Sequence, residues 1–358
     1  MAETSPQQRW FPDEIFSIIF EFYVEEAGNP WLLMHVCSQW RTAARHTRSI
    51  WSRIMITHAP PLYYESTRRY QGYEICHTVS LLRNALARAA GSPLDIRLLV
   101  GHYDSPISGD SYDDLSRRLI DPLHYDKSYL LIRRLETFGT DFEWLCHVTF
   151  DGFEFPSLEH AVLETGPCNL NKRIQSSALR LRSLHLKESG NGEVDWELSK
   201  FKRLTNFSLD RHWESSGDGA FKTIASISSL VSLYLRTTEI NSFTTLSIPT
   251  LQTLNLYFTY IKDNLELPRL QTLVMFSSSI PATAEHPLML PSLTTLELNS
   301  CALEDNFYIK APILQTLSIT EQLTRKVPLS ERFEKFIEQV INPEYLSPQI
   351  LCLERVAI

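Results

Sequence analysis

The chain has 358 residues and carries 42 acidic against 34 basic side chains, a formal charge of −8. Hydrophobic residues make up 43% and charged residues 21%, which excludes a collagen, a low-complexity chain and a wholly disordered tail and leaves room for two or three folding units. The negative balance argues against phosphate-backbone binding as the main task. No apolar run approaches the ~18 residues of a membrane span, and MAETSPQQRW at the start has no apolar core, so neither a membrane anchor nor a signal peptide is expected. Cys37, Cys76, Cys146, Cys168, Cys301 and Cys352 form no C-x-x-C pair and read as reduced thiols of an intracellular protein. Cys76–His77 and Cys146–His147 are adjacent pairs, a poor start for a zinc site that needs about four converging ligands. No metal and no cofactor are expected.

The first element lies in residues 11–54. Ile15, Phe16, Ile19, Phe20 and Tyr23 give a helix with a wide apolar face, and Asp13 and Glu14 complement the dipole of its first turn. Asn29–Pro30 predicts a cap and first turn for a second helix carrying Leu32, Leu33, Val36, Cys37, Trp40 and Ala44. Trp51 follows a hinge at Thr47–Ser49. A unit of about 45 residues has a small core and is marginal alone, so its apolar surface points to completion by a partner.

Pro12, Glu14, Ile15, Phe16, Ile19 and Phe20, then Leu32, Val36, Cys37, Trp40, Arg41 and Trp51, follow the pattern L-P-x-E-[IL]-[LF]-x-x-[IL]-[FL], a loop, L-x-x-x-V-C-x-x-W-R and a later Trp. Phe11 stands where the pattern has leucine. The segment resembles the F-box, by which substrate receptors dock on the Skp-family adaptor of cullin–RING ubiquitin ligases. The resemblance implies adaptor contacts from Phe11, Pro12, Ile15, Phe16, Ile19, Leu32, Val36, Cys37, Trp40 and Trp51. Cys37 shares its stripe with Val36 and Trp40 and is not read as a nucleophile with His35 or His46.

Residues 55–150 form a connecting region. Ile75, Val79, Leu82, Leu86 and Ala89 fall on one face of a helix that Gly91 ends. Leu94, Ile96, Leu98 and Val100 alternate as a strand, Leu115–Leu123 reads as a helix, and Leu135-x-x-Phe138 as another strand. These pieces look like degenerate early repeats, and the acidic stretch 101–114 like an exposed loop.

From residue 155 to 358 the chain repeats. The template L-x-x-L-x-L begins at Leu158, Leu181, Leu204, Leu230, Leu251, Leu270, Leu293 and Leu314, at intervals of 23, 23, 26, 21, 19, 23 and 21 residues, and Leu353-x-x-Val356-x-Ile358 offers a last strand. Pro156, Pro249, Pro268, Pro291 and Pro312 precede five copies. The last two apolar positions of each copy lie two apart and share one face of a strand. Stacked copies therefore build a parallel sheet over a continuous core. Ile240, Ile261, Ile280 and Leu303 fit an inward turn after the strand. This region resembles the leucine-rich repeats, with Cys301 alone matching the family's usual Asn or Cys after the strand. Short repeats leave little space for outer helices, save one near Ala220–Ile227, and Leu329–Val340 has the spacing of a capping helix, set near residues 329–341. The fold class is α/β: a helical hairpin followed by an irregular solenoid with a curved parallel sheet. Together with Gly91–Val100 the layout resembles the F-box proteins of mushroom-forming fungi.

Three columns of side chains face out of the repeat strands. The first is Ser/Thr-rich, as strand packing favours. The second contains Tyr234, Asn255 and Glu297, and the third Arg236, Tyr257 and Phe276. Tyr and Arg are enriched in binding hot spots, so these six residues are the expected target-recognition centre. No phosphate loop, H-E-x-x-H or G-x-S-x-G is present, and Arg68–Arg69, Arg117–Arg118 and Arg133–Arg134 are scattered pairs, so no nucleic-acid site is expected. The sequence thus predicts a non-catalytic receptor that reaches a cullin through its adaptor and holds a protein target of unknown identity. It leaves open a scaffold working outside ubiquitination, and a hydrolase built on a hidden Cys/His pair such as Cys146 and His147.

Overall fold

The computed structural model of the chain describes residues 12–26, 29–57, 73–99, 121–123, 127–138, 153–165, 173–176, 178–188, 197–211, 224, 226–236, 239–240, 246–261, 265–280, 287–301, 309–320 and 351–353. The chain divides into two compact units, Met1–His160 with Cys168–Ala178, and Ala161–Pro167 with Leu179–Ile358. Phe11, the acidic stretch 101–114, most of the 115–123 and 220–227 helices, the 329–341 cap and the Cys146–His147 pair lie outside the described residues.

The first unit opens with α1 (Asp13–Glu25), α2 (Pro30–Val36) and α3 (Ser38–His46), followed by a 3-10 turn at Arg48–Trp51. The single second helix expected from the sequence is two helices. Cys37 adopts an extended backbone (φ −159°, ψ 174°), and its Sγ accepts a hydrogen bond from Trp40 N at 3.4 Å, so it ends α2 and caps α3. Asn29 caps α2 as expected, its Oδ1 accepting from Trp31 N at 2.9 Å. Two arginines close helix ends: Arg41 Nε donates to Met34 O at 2.9 Å and Arg53 Nη1 to Val24 O at 2.9 Å, putting cations at the negative ends of α2 and α1.

A sheet then forms from β1 (Arg53–Thr57), β2 (Glu74–Cys76), β3 (Leu94–Leu99) and β4 (Ile132–Phe138), in the order β4–β3–β1–β2 and all parallel. The helix α4 (Val79–Ala89) crosses from β2 to β3, with Leu82, Ala85, Leu86 and Ala89 buried. Ile75, expected on that helix, belongs to β2, because Thr78 caps α4 by accepting from Leu81 N at 3.3 Å. On one sheet face Ile54, Ile56, Ile96, Leu98 and Leu135 are buried; the other carries ions. Glu136 is buried there and pairs with Arg97 (2.6 Å) and Arg134 (2.5 Å).

The second unit is a parallel β-solenoid. All eight expected copies form strands: His160–Thr165, Ser183–Glu188, Asn206–Arg211, Ser232–Arg236, Thr253–Tyr257, Thr272–Phe276, Thr295–Asn299 and Thr316–Thr320. They lie side by side in chain order. A ninth strand, Leu351–Leu353, lies beside Thr316–Thr320, and residues 354–358 of the last copy expected lie outside the described residues. The register follows the sequence columns without slip from Ser183 through Asn206, Ser232, Thr253, Thr272 and Thr295 to Thr316. Inward, Leu254, Leu256, Leu273, Met275, Leu296 and Leu298 are buried, which fixes that register: a one-residue slip would expose every one of them. The opposite side carries two-residue parallel pairings, such as Leu246–Ser247 with Leu265–Glu266 and Leu288–Met289 with Ile309–Lys310.

The prolines act one step before the strands. Leu158, Leu251, Leu270, Leu293 and Leu314 each donate their N–H to the carbonyl three residues back, at 3.1–3.2 Å, and the proline is the second residue of that turn. Its fixed φ suits that place. The carbonyl residues Phe155, Ile248, Leu267, Leu290 and Ala311 are buried, so the repeat begins one apolar position earlier than the template suggested.

Candidate functional site

Two surfaces carry the residues expected to meet partners. The first is on α1 and α2. Phe16, Phe20 and Val24 recur at four-residue steps and are buried, with Phe16 5% exposed. Their rings pack with Trp40, at centroid separations of 5.9 Å from Phe16 and 5.1 Å from Phe20. The opposite stripe of α1 is equally apolar and points to solvent: Ile15, Ile18, Ile19 and Phe22, the last 64% exposed. On α2, Leu32 and Val36 are 57% and 58% exposed, and Trp31 is 39% exposed. Seven of the twelve exposed large hydrophobics among the described residues therefore fall between Ile15 and Val36. A surface that concentrates them so marks an interaction face.

The expected adaptor residues sort by burial. Pro12, Ile15, Ile19, Leu32, Val36 and Cys37 are exposed, and Trp40 is half-buried. Phe16 and Trp51, two of the residues expected to contact the adaptor, are buried. Phe16 builds the aromatic core, and Trp51 is 0% exposed, its Nε1 donating to Ala44 O at 2.8 Å. Neither presents a surface. Ile18 and Phe22, absent from the expected set, are exposed beside Ile15 and Ile19; the sequence signal was their i, i+4 step, hidden because the opposite stripe of α1 is apolar as well.

Behind Trp31 lies a charged contact. Trp31 meets Trp51 edge-on at 5.1 Å, and the Arg88 guanidinium sits 4.8 Å from the Trp31 ring and 5.2 Å from that of Trp51. Arg88 pairs with the buried Glu74. Burial pushes the Glu74 carboxyl above 4.5, more than Arg88 holds it down. Nearby, burial pushes the Cys76 thiol up to about 12, which removes it as a nucleophile.

The second surface is the outward face of the solenoid sheet. Tyr234, Tyr257 and Phe276 converge as expected: the tyrosine rings are 5.1 Å apart, and Tyr257 stacks on Phe276 at 5.8 Å and 19°. Phe258, absent from the expected set, meets Phe276 edge-on at 5.1 Å and is partly exposed. Arg236 is half-exposed and pairs with Asp210 at 3.4 Å across the strands. Asn255 lies between Tyr234 and Val274 in register, and Glu297 beside Val274, so both flank the aromatic cluster. All six expected residues are at least partly accessible.

The cluster rests on a strained edge. Phe258, Ser277 and Ser300 follow their strands with φ of 52°, 45° and 54°, a left-handed conformation that costs side chains about 1–2 kcal/mol each. Each donates its N–H to the next strand, at 2.8, 2.8 and 2.7 Å. The following residues close the strain with a buried polar ladder. Thr259 N donates to Ser278 Oγ (3.0 Å), Ser278 Oγ donates to Phe276 O (2.8 Å), and Cys301 Sγ donates to Asn299 O (3.5 Å). Thr259 and Ser278, at the position after the strand where Cys301 stands in its copy, thus also bond to the neighbouring backbone. Phe258 is held at the edge of the aromatic cluster by this turn.

Among the described residues no group of His, Cys, Asp and Glu is placed to hold a metal, and no helix is long and apolar enough to cross a membrane. Comparison of the chain with the models of known protein families finds no match, and neither does comparison with curated proteins.

Proposed function

We propose that this chain is the substrate receptor of a cullin-type ubiquitin ligase, with an F-box at its front and leucine-rich repeats behind. The exposed stripes of α1 and α2 dock on a Skp-family adaptor, and the aromatic face of the solenoid holds a protein target. The observation that carries the reading is the coincidence of two facts at residues 12–51. The residues match the F-box pattern position by position, and the unit leaves Ile15, Ile19, Leu32 and Val36 uncovered. A hairpin serving only its own fold would have no use for a second apolar stripe on α1. The receptor performs no chemistry. It raises the local concentration of target lysines near a ubiquitin-loaded enzyme, so its contribution is proximity. Such a receptor works inside the cell.

The test is affinity purification of the intact protein with mass spectrometry. Recovery of a Skp-type adaptor and a cullin, both lost on Leu32→Asp with Val36→Asp, supports the reading. Recovery of neither refutes it, and recovery of the adaptor without a cullin assigns the chain to a scaffold outside the ligase.

A further inference from the structure

We infer that Arg88 is a positioning residue for the docking face of α2, so that the docking unit runs from α1 through α4 instead of ending at Trp51; this rests on the function proposed above.

The argument starts from how little holds α2. It has seven residues, too few to stand as an isolated helix, and only Pro30 and Leu33 are buried. Leu32 and Val36 point to solvent and contribute nothing to its anchoring until a partner arrives. Beyond half-buried Met34, whose carbonyl Arg41 holds, the side-chain anchor is the Trp31 ring, 39% exposed, and what lies against it are Trp51 and Arg88. Trp51 cannot shift, because it is wholly buried and tied to Ala44 O. Arg88 is fixed from the other side by the buried carboxylate of Glu74 on β2. The guanidinium is thus a planar plate set against two indoles and oriented by a carboxylate, the geometry in which arginine and lysine are least interchangeable.

Other bonds run the same way. Arg48 Nη1 donates to Ala90 O at 3.2 Å at the end of α4, and Asp95 N donates to Ser52 O at 3.0 Å at the start of β3. The segment after Trp51 is therefore built into the hairpin. Glu74 Oε2 is buried and has no hydrogen-bond partner among the described residues, so loss of Arg88 strands a whole carboxylate.

If Arg88 only neutralises Glu74, lysine should serve as well. If it positions Trp31, lysine should fail. The experiment uses the full chain and measures hydrogen exchange of α2 together with affinity for a purified Skp-type adaptor. It compares the wild type, Arg88→Lys, and Arg88→Met combined with Glu74→Gln, which removes both charges and leaves no stranded carboxylate. Leu86→Ala serves as a control that loosens α4 without touching the stack. The expected result is α2 exchange about tenfold faster in both Arg88 variants, the scale of a partly desolvated cation–π contact. Affinity falls several-fold, and exchange in α1 and the solenoid strands is unchanged. Leu86→Ala should instead speed exchange throughout the first unit. Wild-type exchange in α2 with Arg88→Lys overturns the inference, and so does faster α2 exchange with unaltered affinity. A wild-type chain that fails to bind the adaptor refutes the proposed function, and the exchange comparison then decides alone whether Arg88 fixes α2.

Discussion

Phe22→Ala separates docking from folding more cleanly than any substitution in the F-box pattern itself. A phenylalanine side chain offers about 200 Å² for burial. With 64% exposure, about 130 Å² of it is still open on α1. At about 25 cal/mol per Å² a partner that covers all of it gains about 3 kcal/mol, or about two orders of magnitude in affinity. Removing the ring should leave the fold within about 0.5 kcal/mol of wild type, because most of it already faces solvent. Phe16→Ala is the counterpart. It empties a site 5% exposed and strips the ring from the Phe20 and Trp40 cluster, at a cost of about 3–5 kcal/mol to folding. Titration calorimetry with a Skp-type adaptor and urea unfolding read the two quantities independently. The expected pattern is lost affinity with an unmoved midpoint for Phe22→Ala, and a lowered midpoint for Phe16→Ala. Adaptor affinity within twofold of wild type for Phe22→Ala would refute the assignment of α1's outer stripe as the docking face.

Tyr257→Ala with Phe276→Ala should leave adaptor binding intact and lose the target, read by the same purification; retention of every captured partner would place recognition elsewhere. His185 is held below its usual 6.5 by burial and by Lys187, and its Nε2 has no hydrogen-bond partner among the described residues. A depressed folded value means that the unfolded chain takes the proton first, so solenoid stability is present above 6.5 and falls as pH drops below it. His185→Asn should flatten that part of the stability–pH curve, and an unchanged curve would remove His185 as its source. Ser278→Ala should cost about 1–3 kcal/mol, since it removes the acceptor of Thr259 N and the donor to Phe276 O at a buried site. Thermal unfolding measures that loss, and a variant as stable as wild type would show that the ladder does not bear on the turn.

The repeats were legible because one physical requirement recurs. Each copy needs two inward residues two apart and one leucine before them, and a parallel sheet with a fixed register follows from any chain that supplies these at intervals near 21. The buried residue ahead of each proline was harder to see, because Phe155, Ile248, Leu267, Leu290 and Ala311 vary in size and two of the eight copies use the same turn without proline, at Phe201–Leu204 and Ile227–Leu230. The first unit was less legible. The apolar steps of α2 and α3 run on through Cys37 as if one helix, and only a thiol standing in for the usual Ser, Thr or Asp cap breaks them. No strand was expected across the boundary set at residue 54 between the hairpin and the connecting region, yet Ile54, Met55 and Ile56 are wholly or nearly buried as a central strand. A buried central strand has no alternation to announce it.

The two surfaces differ in the chemistry of what they leave uncovered, and this bears on their roles. The exposed residues of the α1–α2 stripe are aliphatic apart from Phe22 and Trp31, so it offers shape and area. Such a face has few charges to reject a wrong partner, which fits the adaptor docking proposed for it. The solenoid face sets Tyr234, Tyr257, Phe258 and Phe276 beside the Arg236–Asp210 pair and Glu297, so a partner must meet rings, a cation and carboxylates in one arrangement. Misplaced charge against such a face costs several kcal/mol, and that penalty is what gives selectivity. If the proposed target binding holds, the left-handed turn at Phe258 has a use. A solenoid with glycine in that turn would fold with less strain, but it would lose the ring that Phe258 adds to the edge of the cluster.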